Sequence, residues 1–490
     1  MPVPAPDAIA DWVSYLSVQH DAERSELEAY DRYYEGSQPL TYMHPEILRE
    51  VSDRITPVIV FWPQLVVDSV EERLDVEGFR LPRAESGDDD MWRVWQYNNL
   101  DEESQKAHID ALVMRRSYVS VGTNEGDELT PLVVSESPLE MYADIDPRTR
   151  KVRAALKRVS ETDGAGTTTP YTTLYLPDVT IWFEDGKEVD RDEHKLGEVP
   201  IVPILNRPRL QATARLRTNV VGRDGNTTSI AYRMATRYGR SELDAVIPLS
   251  DAACKLASDM MVASEFIGLP LRGIFGIGPG DLEDASGNRM TAIQAIMGRL
   301  FTIDNSNAKA FEFAAARLDG FATALEQMAQ MVASVAGLPP HYLGISTQNP
   351  ASADAIRSAE SRLVKRAERK QRAFGGSWEQ VMRLVRRFQR GKWDQGLVRL
   401  ETVWRNAATP TIAQKADATV KLHSEGIITT RQARLDLEYT DAQIRGMEKD
   451  EAAAGDRLLG IKPAAVPDMP PTEPTPTEPT SPEPAVPAAS

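Results

Sequence analysis

The stretch GLPPHYLGISTQNPASADAIRSAESRLVKRAERKQRAFGGSWEQVMRL, Gly337–Leu384, decides how the rest of the chain is read. Pro339 and Pro340 stop the helix before them, because proline lacks an N–H and clashes with the preceding turn. Asn349 followed by Pro350 reads as an N-cap and first helical position. From Ala351 onward, Ala359, Leu363, Val364, Ala367, Phe374, Trp378, Val381 and Val385 recur at helical spacing, which predicts one long helix. Leu338–Gln348 is therefore a loop between two helices. Between its prolines and Asn349 only Tyr342, Leu343 and Ile345 are sizeable and apolar, too few to anchor it in a core. Loops of this length without structure of their own are usually functional or disordered.

Working outward, 490 residues exceed what one hydrophobic core holds, so several substructures are expected. No apolar run reaches the ~20 residues a membrane-spanning helix needs, and MPVPAPDAIADW has neither a basic nor an apolar leader region. Cys254 is the only cysteine, which excludes an intramolecular disulfide and a multi-thiolate zinc site. A net charge of −17 is the wrong sign for gripping phosphates, but suits a wall past which DNA slides; it also fits an ordinary acidic, soluble surface. The segment Pro463–Ser490, rich in Pro, Thr, Glu, Ala and Ser, cannot bury a core and reads as a disordered tail.

Helical spacing marks Asp7–Tyr34, a helix capped by Asp101 and ending near Arg115, Ser241–Phe266 with a kink at Pro248, and Leu318–Ala336. Shorter helices are expected over Thr411–Glu425, Thr430–Leu437 and Asp441–Ala454. An antiparallel β region is expected over Tyr118–Gly122, Leu132–Ser135, Met141–Ile145, Val152–Val159, Tyr171–Leu176 and Val179–Phe183. Leu271–Phe275, Arg299–Ile303 and Trp393–Trp404 also look strand-like, and an apolar run at Ile55–Val70 is interrupted by Pro57 and Pro63.

Catalytic patterns do not assemble. The phosphate-loop signature GxxxxGK[ST] is missing, GRDGNTTS (Gly222–Ser229) has no lysine, and GIFGIGPG (Gly273–Gly280) reads as turns. There is no GxSxG elbow, and the six histidines His20, His44, His108, His194, His341 and His423 are scattered. Asp144 and Asp146 read as a strand end and turn, Asp88–Asp90 as a solvated loop. Neither is expected to hold a metal, and no cofactor is expected. The cations Arg362, Lys365, Arg366, Arg369, Lys370 and Arg372 read as a solvated or intersubunit helix face, partly paired with Glu360 and Glu368, or as a DNA contact. The methionines Met260, Met261, Met328 and Met331 read as core or subunit interface.

In order along the chain, YDRYYEG (Tyr30–Gly36), VVDSVEERLDVEGF (Val66–Phe79), WQYNNLD (Trp95–Asp101), VPIVPILNRPRL (Val199–Leu210), GRSELDAVIPLSDAACKL (Gly239–Leu256), the opening stretch and TPTIAQKADATVKLHSEGI (Thr409–Ile427) form a set. It resembles the portal proteins of tailed bacteriophages, the siphophage-type head-to-tail connectors of actinobacteriophages, over roughly residues 8–455. The resemblance implies an α+β portal fold with wing, stem, clip and crown, assembled as a ring of twelve.

The regions it implies are a wing over 1–240, with a departure from the family pattern at Gln211–Thr236, and a first stem helix over 241–267. A clip (268–316), a second stem helix (317–337), a channel loop (338–349), a long helix and wing return (350–405), crown helices (406–460) and a tail (461–490) follow. It implies a non-enzymatic channel at one capsid vertex of the virion, made in the host cytoplasm, through which double-stranded DNA passes. The implied partners are the terminase large subunit, a head–tail adaptor and the major capsid protein, with no membrane. It places Tyr342, Leu343, Ile345, Ser346, Thr347, Gln348 and Asn349 at the channel constriction. It places Leu271, Arg272, Phe275, Asp281, Glu283, Asp284 and Arg299 on the clip's docking surface. A channel-less minor head protein and a metal-dependent nucleic-acid enzyme are the alternatives.

Overall fold

The computed structural model describes residues 9–39, 58–82, 87–127, 129–210, 214–221, 227–234, 238–268, 272–275, 309–312, 318–345, 353–408, 412–437, 439 and 441–458. The chain divides into two units, Met1–Thr409 and Pro410–Ser490.

In the first unit, helix α1 (Ile9–Tyr34) buries Trp12, Leu16, His20, Leu27 and Tyr30, a spacing that keeps one face inward. Its tyrosines end it and pin it. Tyr30 donates to Asp244 (2.7 Å), Tyr33 to Asp251 (2.9 Å) and Tyr34 to Asp68 (3.0 Å). The chain then turns at Gly36, where φ is +67° and a Cβ would lie 2.3 Å from the Phe61 ring; only glycine fits both demands. Helix α2 (Trp62–Glu71) carries Pro63 in its first turn, so the proline starts this helix instead of interrupting it.

Strand β1 (Val76–Arg80) pairs antiparallel with β14 (Glu401–Trp404), joining segments more than 300 residues apart. Helix α3 (Asp89–Tyr97) is capped by Asp88, whose carboxylate accepts from the N–H groups of Asp90 and Met91. Arg386 binds that cap at 2.7 Å and also Asp90, so the expected solvated loop is a helix start held by an ion pair. Helix α4 (Leu100–Val113) begins after Asn99, whose φ of +50° fits an asparagine. Asp101, expected as the cap, lies inside α4 and accepts a 2.8 Å hydrogen bond from the Trp95 indole.

Strands β2 (Arg116–Gly122), β3 (Leu132–Glu136) and β9 (Ile201–Leu205) form one antiparallel sheet, with β2 central. A second sheet is a five-strand meander of β4 (Met141–Ile145), β5 (Val152–Thr162), β6 (Thr168–Tyr175), β7 (Thr180–Glu184) and β8 (Lys187–Asp192). The expected α+β character with antiparallel sheets holds. Within the departure at Gln211–Thr236, β10 (Ala214–Val221) and β11 (Thr227–Met234) pair as a hairpin.

Helix α5 (Ile247–Gly268) follows a short 3-10 turn at Leu243–Ala245. Pro248 sits in its first turn, where its missing N–H has no intrahelical partner to lose, so it opens α5 and no kink arises there. At 1.5 Å per residue the 22-residue helix is roughly 33 Å long. Strands β12 (Arg272–Phe275) and β13 (Lys309–Glu312) pair antiparallel, and α6 (Asp319–Ala336) packs against α5.

Helix α7 (Ala353–Arg390) runs 38 residues. Leu363, Ala367, Phe374, Trp378, Val381 and Val385 are fully buried, while Ala359 is exposed. Glycine in mid-helix costs about 1 kcal/mol. Gly375 has a reason: a Cβ there would come within 3.1 Å of the Trp404 indole nitrogen. Around it Trp95 meets Trp378 edge-on at 5.0 Å, and the Trp378 indole donates to His108 Nε2 at 2.9 Å. Before β14 the expected returning strand is partly a 3-10 turn, Gln395–Arg399.

The second unit contains α8 (Ile412–Ser424), α9 (Thr430–Asp436) and α10 (Asp441–Leu458), within a residue to four of expectation. The Thr429 hydroxyl caps α9 by accepting from Gln432 N–H (3.2 Å).

Candidate functional site

The basic run and the described start of the loop lie where the end of α6 meets the first half of α7. Gly337 ends α6 in the left-handed region at φ +68°, with Leu338 N–H closing back to Ala333 O at 2.9 Å. Arg362 of α7 lies over that glycine and donates to Ser334 O at 2.8 Å. A cation thereby meets the carbonyl end of α6, where the helix dipole favours it.

The loop after Gly337 is anchored, contrary to the expectation from its few apolar residues. Pro340–Leu343 forms a 3-10 turn, Leu338 is buried, and Tyr342 and Leu343 pack on the main core. The Tyr342 hydroxyl accepts from Arg73 (3.1 Å) and donates to Glu360 (3.2 Å). Arg73, itself buried, also donates to Ala407 O at 2.7 Å. Three well-placed side chains achieve what composition alone did not indicate. Ile345 is half-buried. Ser346, Thr347, Gln348 and Asn349 lie outside the described residues, as do Leu271, Asp281, Glu283, Asp284, Arg299 and the tail. Arg272 and Phe275 bracket strand β12, which pairs with β13; the strand-like Arg299–Ile303 lies outside the described residues.

The centre of the site is Glu242, which sequence reading did not single out. It is buried, yet binds Lys370 at 2.5 Å, Arg366 at 2.8 Å and Arg207 at 3.5 Å. Burial alone would raise its pKa, but Lys370, Arg366 and Arg207 outweigh that and hold it at about 2. Lys370 also donates to Asn206, whose amide in turn donates to Arg240 O at 2.7 Å. Gly239 makes this junction possible. Its φ is +96°, and a Cβ would stand 2.2 Å from Arg115 O. The motif Gly239-Arg240-Ser241-Glu242-Leu243 is thus a backbone crossing, a buried carboxylate and a core leucine in succession. Its partners are 124 and 128 residues away, so no local spacing announces them.

Beside Glu242 opens a cleft of about 620 Å³ lined by Arg207, Arg362, Lys365, Arg366, Arg369 and Lys370, with Val335 and Ala336 of α6 on its wall. The basic run therefore divides. Arg366 and Lys370 turn inward to Glu242, Arg362 caps α6, and Lys365, Arg369 and Arg372 are exposed, with Glu368 paired to Lys365 (2.6 Å) and Arg372 (3.7 Å). On α5 and α6, Met261 and Met331 are 43% and 46% exposed and Val335 is 49% exposed.

Chemistry-bearing residues elsewhere are committed to structure. Asp144 binds Arg153 at 2.5 Å, and Asp146 accepts from the N–H groups of Arg148 and Thr149. His20 lies between Pro138 O (3.0 Å) and Arg158. Burial drives the His108 pKa down to about 3. Among the described residues no group of three or more His, Cys, Asp or Glu is placed to hold a metal ion, and no helix is long and apolar enough to cross a membrane.

The geometry is that of a helical pair with a tethered loop and a charged seam. Comparison with known proteins agrees. The chain is 39% identical to the portal protein of Mycobacterium phage D29 over 84% of this chain and 83% of that one. It is 37% identical to the portal protein of Mycobacterium phage L5, over 94% and 93%. A chain in a solved structure titled "Neck of empty GTA particle computed with C6 symmetry" is 12% identical, with a TM-score of 0.46 over 85% of this chain and 94% of that one; at that level it supports no argument. The family model described as "Phage portal protein, SPP1 Gp6-like" matches residues 14–456, and the chain belongs to that family of phage portal proteins.

Proposed function

We propose that copies of this chain close into a ring, of about twelve by family resemblance, at one vertex of the capsid, and that double-stranded DNA enters and leaves through its centre. In this reading α5 and α6 form the stem, the segment around β12 and β13 the clip, residues 1–240 with α7 the wing, and α8–α10 the crown. The observation that carries it is the outer face of α5 and α6. Met261 on α5 and Met331 and Val335 on α6 are each left 43–49% exposed in a single subunit, and large apolar side chains exposed along two packed helices are surface that association buries.

The docking surfaces follow from the same reading. Leu271, Arg272, Phe275, Asp281, Glu283, Asp284 and Arg299 would meet the terminase large subunit and then the head–tail adaptor, and the wing would meet the major capsid protein. Tyr342–Asn349 would narrow the channel. Its start is tied through Tyr342 to Arg73 and Glu360, which gives the loop a fixed base. Imaging purified protein by negative stain tests the assembly: rings with a central hole are expected, and a chain that stays monomeric refutes it. For the loop, polar changes combined at Thr347 and Gln348 should leave rings intact but reduce DNA content of heads. Heads that fill and hold DNA normally would place the constriction elsewhere.

A further inference from the structure

A closed ring needs two different surfaces on each subunit that fit one another head to tail. The basic cleft is one such surface. Its exposed rim, Lys365 and Arg369, stands beside Arg207 and Arg362. Glu242 at the base neutralises only part of this charge, and Arg366 keeps one buried guanidinium nitrogen without a hydrogen-bond partner.

The matching surface is on α2. Asp68 and Glu71, three apart, share one face of the helix, Glu72 is its C-cap residue, and Asp75 follows just before β1. Pro63, Val66, Val67 and Val70 take the opposite, buried face. Among the described residues neither Glu71 nor Glu72 has an ion-pair partner, whereas Asp68 accepts from Tyr34 and Asp75 is bound by Arg405 at 2.7 Å. The carboxylates strain against each other: burial first, then Asp75, Asp68 and Glu72, push the Glu71 pKa up to about 7. A cationic neighbour would relieve this.

The two surfaces point different ways. Helix α2 packs against α7. Gln371 of α7 donates to Arg73 O at 2.8 Å, and Glu360 receives Tyr342, which is tied to Arg73. At 100° per residue, Glu360 and Gln371 share one face of α7 while Arg362, Arg366, Arg369 and Lys370 lie on the other. The acidic face of α2 is turned away from its own buried face and so away from α7. Within one subunit the charges therefore cannot satisfy each other.

Building on the ring reading, we propose that the acidic face of α2, Glu71 and Glu72 foremost, docks into the Arg207–Arg362–Lys365–Arg369 cleft of the adjacent copy and sets the head-to-tail order of the ring. Opposite potentials across an interface fix register and suppress wrong pairings, and α7 becomes the spacer between a subunit's two contacts.

The test uses two full-length variants, Lys365→Glu/Arg369→Glu and Glu71→Lys/Glu72→Lys, each alone and mixed, by size-exclusion with light scattering and negative stain. Each variant alone is expected to lose the ring peak. The mixture is expected to recover it, because a reversed cleft accepts a reversed α2 and a normal cleft accepts a normal α2 in alternation. Recovery by mixing also shows that neither variant had failed to fold. Rings from both single variants would overturn the proposal and leave the ring reading standing; a wild-type chain that never forms rings would overturn both. Variants that lose assembly without recovery on mixing would overturn the pairing. Wild-type rings that bind a fluorescein-labelled DNA duplex through Lys365 and Arg369, with variant rings intact but not binding, would make the cleft a phosphate site and overturn it as well.

Discussion

Replacing Glu242 by glutamine is the most direct test of the seam that joins α7 to the β9–α5 segment. The carboxylate's pKa falls from 4.5 to about 2 on folding; at ~1.36 kcal/mol per pH unit its charge contributes about 3 kcal/mol at neutral pH. Because the folded value lies below the unfolded one, this contribution is complete above pH 4.5 and is lost as pH falls towards 2. Glu242→Gln removes it and leaves Lys370, 6% exposed, with Asn206 as its remaining partner. Breaking a buried pair from one side typically costs about 3–5 kcal/mol, so the two routes agree. Urea unfolding at pH 7 and fixed protein concentration should show the loss. Lys370→Met should cost less, since Glu242 keeps Arg366 at 2.8 Å and Arg207 at 3.5 Å. The double variant Glu242→Gln/Lys370→Met should be less unstable than the sum, with a coupling of about 1–3 kcal/mol. A Glu242→Gln protein within 1 kcal/mol of the parent would refute the reasoning, because a satisfied buried carboxylate cannot be neutralised at no cost.

His108 is neutral when folded, with its pKa lowered by burial from 6.5 to about 3, so its contribution is complete above pH 6.5 and is lost as pH falls towards 3. Between pH 7.5 and 4.5 the parent should lose roughly 3 kcal/mol more than His108→Gln, whose amide oxygen can accept from Trp378; equal pH profiles would count against this. Gly239→Ala forces a Cβ to 2.2 Å from Arg115 O at φ +96° and should cost about 3 kcal/mol or abolish soluble expression. Tyr342→Phe should lower stability by about 1 kcal/mol through loss of its ties to Arg73 and Glu360; no change in the urea midpoint would mean those ties contribute nothing. Deleting Pro463–Ser490 should leave ring assembly unchanged by sizing, given a composition that buries no core.

Long helices were legible because the 3.6-residue period survives any tertiary context, as in α1, α6 and α7. Strands were legible only where one face is apolar. Lys187–Asp192, with five of its six residues exposed, has no alternation to read. It is a strand because β7 offers it a hydrogen-bonding edge. Strand β1 was missed for a related reason, as its partner β14 lies at the far end of the unit. Proline was misread twice in the same direction. Pro63 and Pro248 looked like interruptions because apolar residues flank them on both sides, yet each sits in the first turn of a helix, where its missing N–H is harmless.

The motifs that signalled the family prove to be the parts that hold a subunit together. Tyr30, Tyr33 and Tyr34 pin α1 to three carboxylates, Gly36 and Gly239 permit close crossings, and Trp95 binds Asp101. Glu242 fixes α7 to the segment that leads into α5. None of these groups is free to meet DNA or a docking protein. Tyr342, named from sequence at the channel loop, shares such a duty through Arg73 and Glu360. A side chain that satisfies a buried partner elsewhere in its own chain cannot be released to a second one without the cost calculated for Glu242. The same logic splits α7. Its inward cations, Arg366 and Lys370, stabilise the subunit, while Arg369 and Lys365, the latter in an exposed pair with Glu368 at 2.6 Å, face outward toward a neighbour. A net charge of −17 says nothing of this arrangement, since association depends on where unlike charges face outward, and here they do so on opposite sides of one helix.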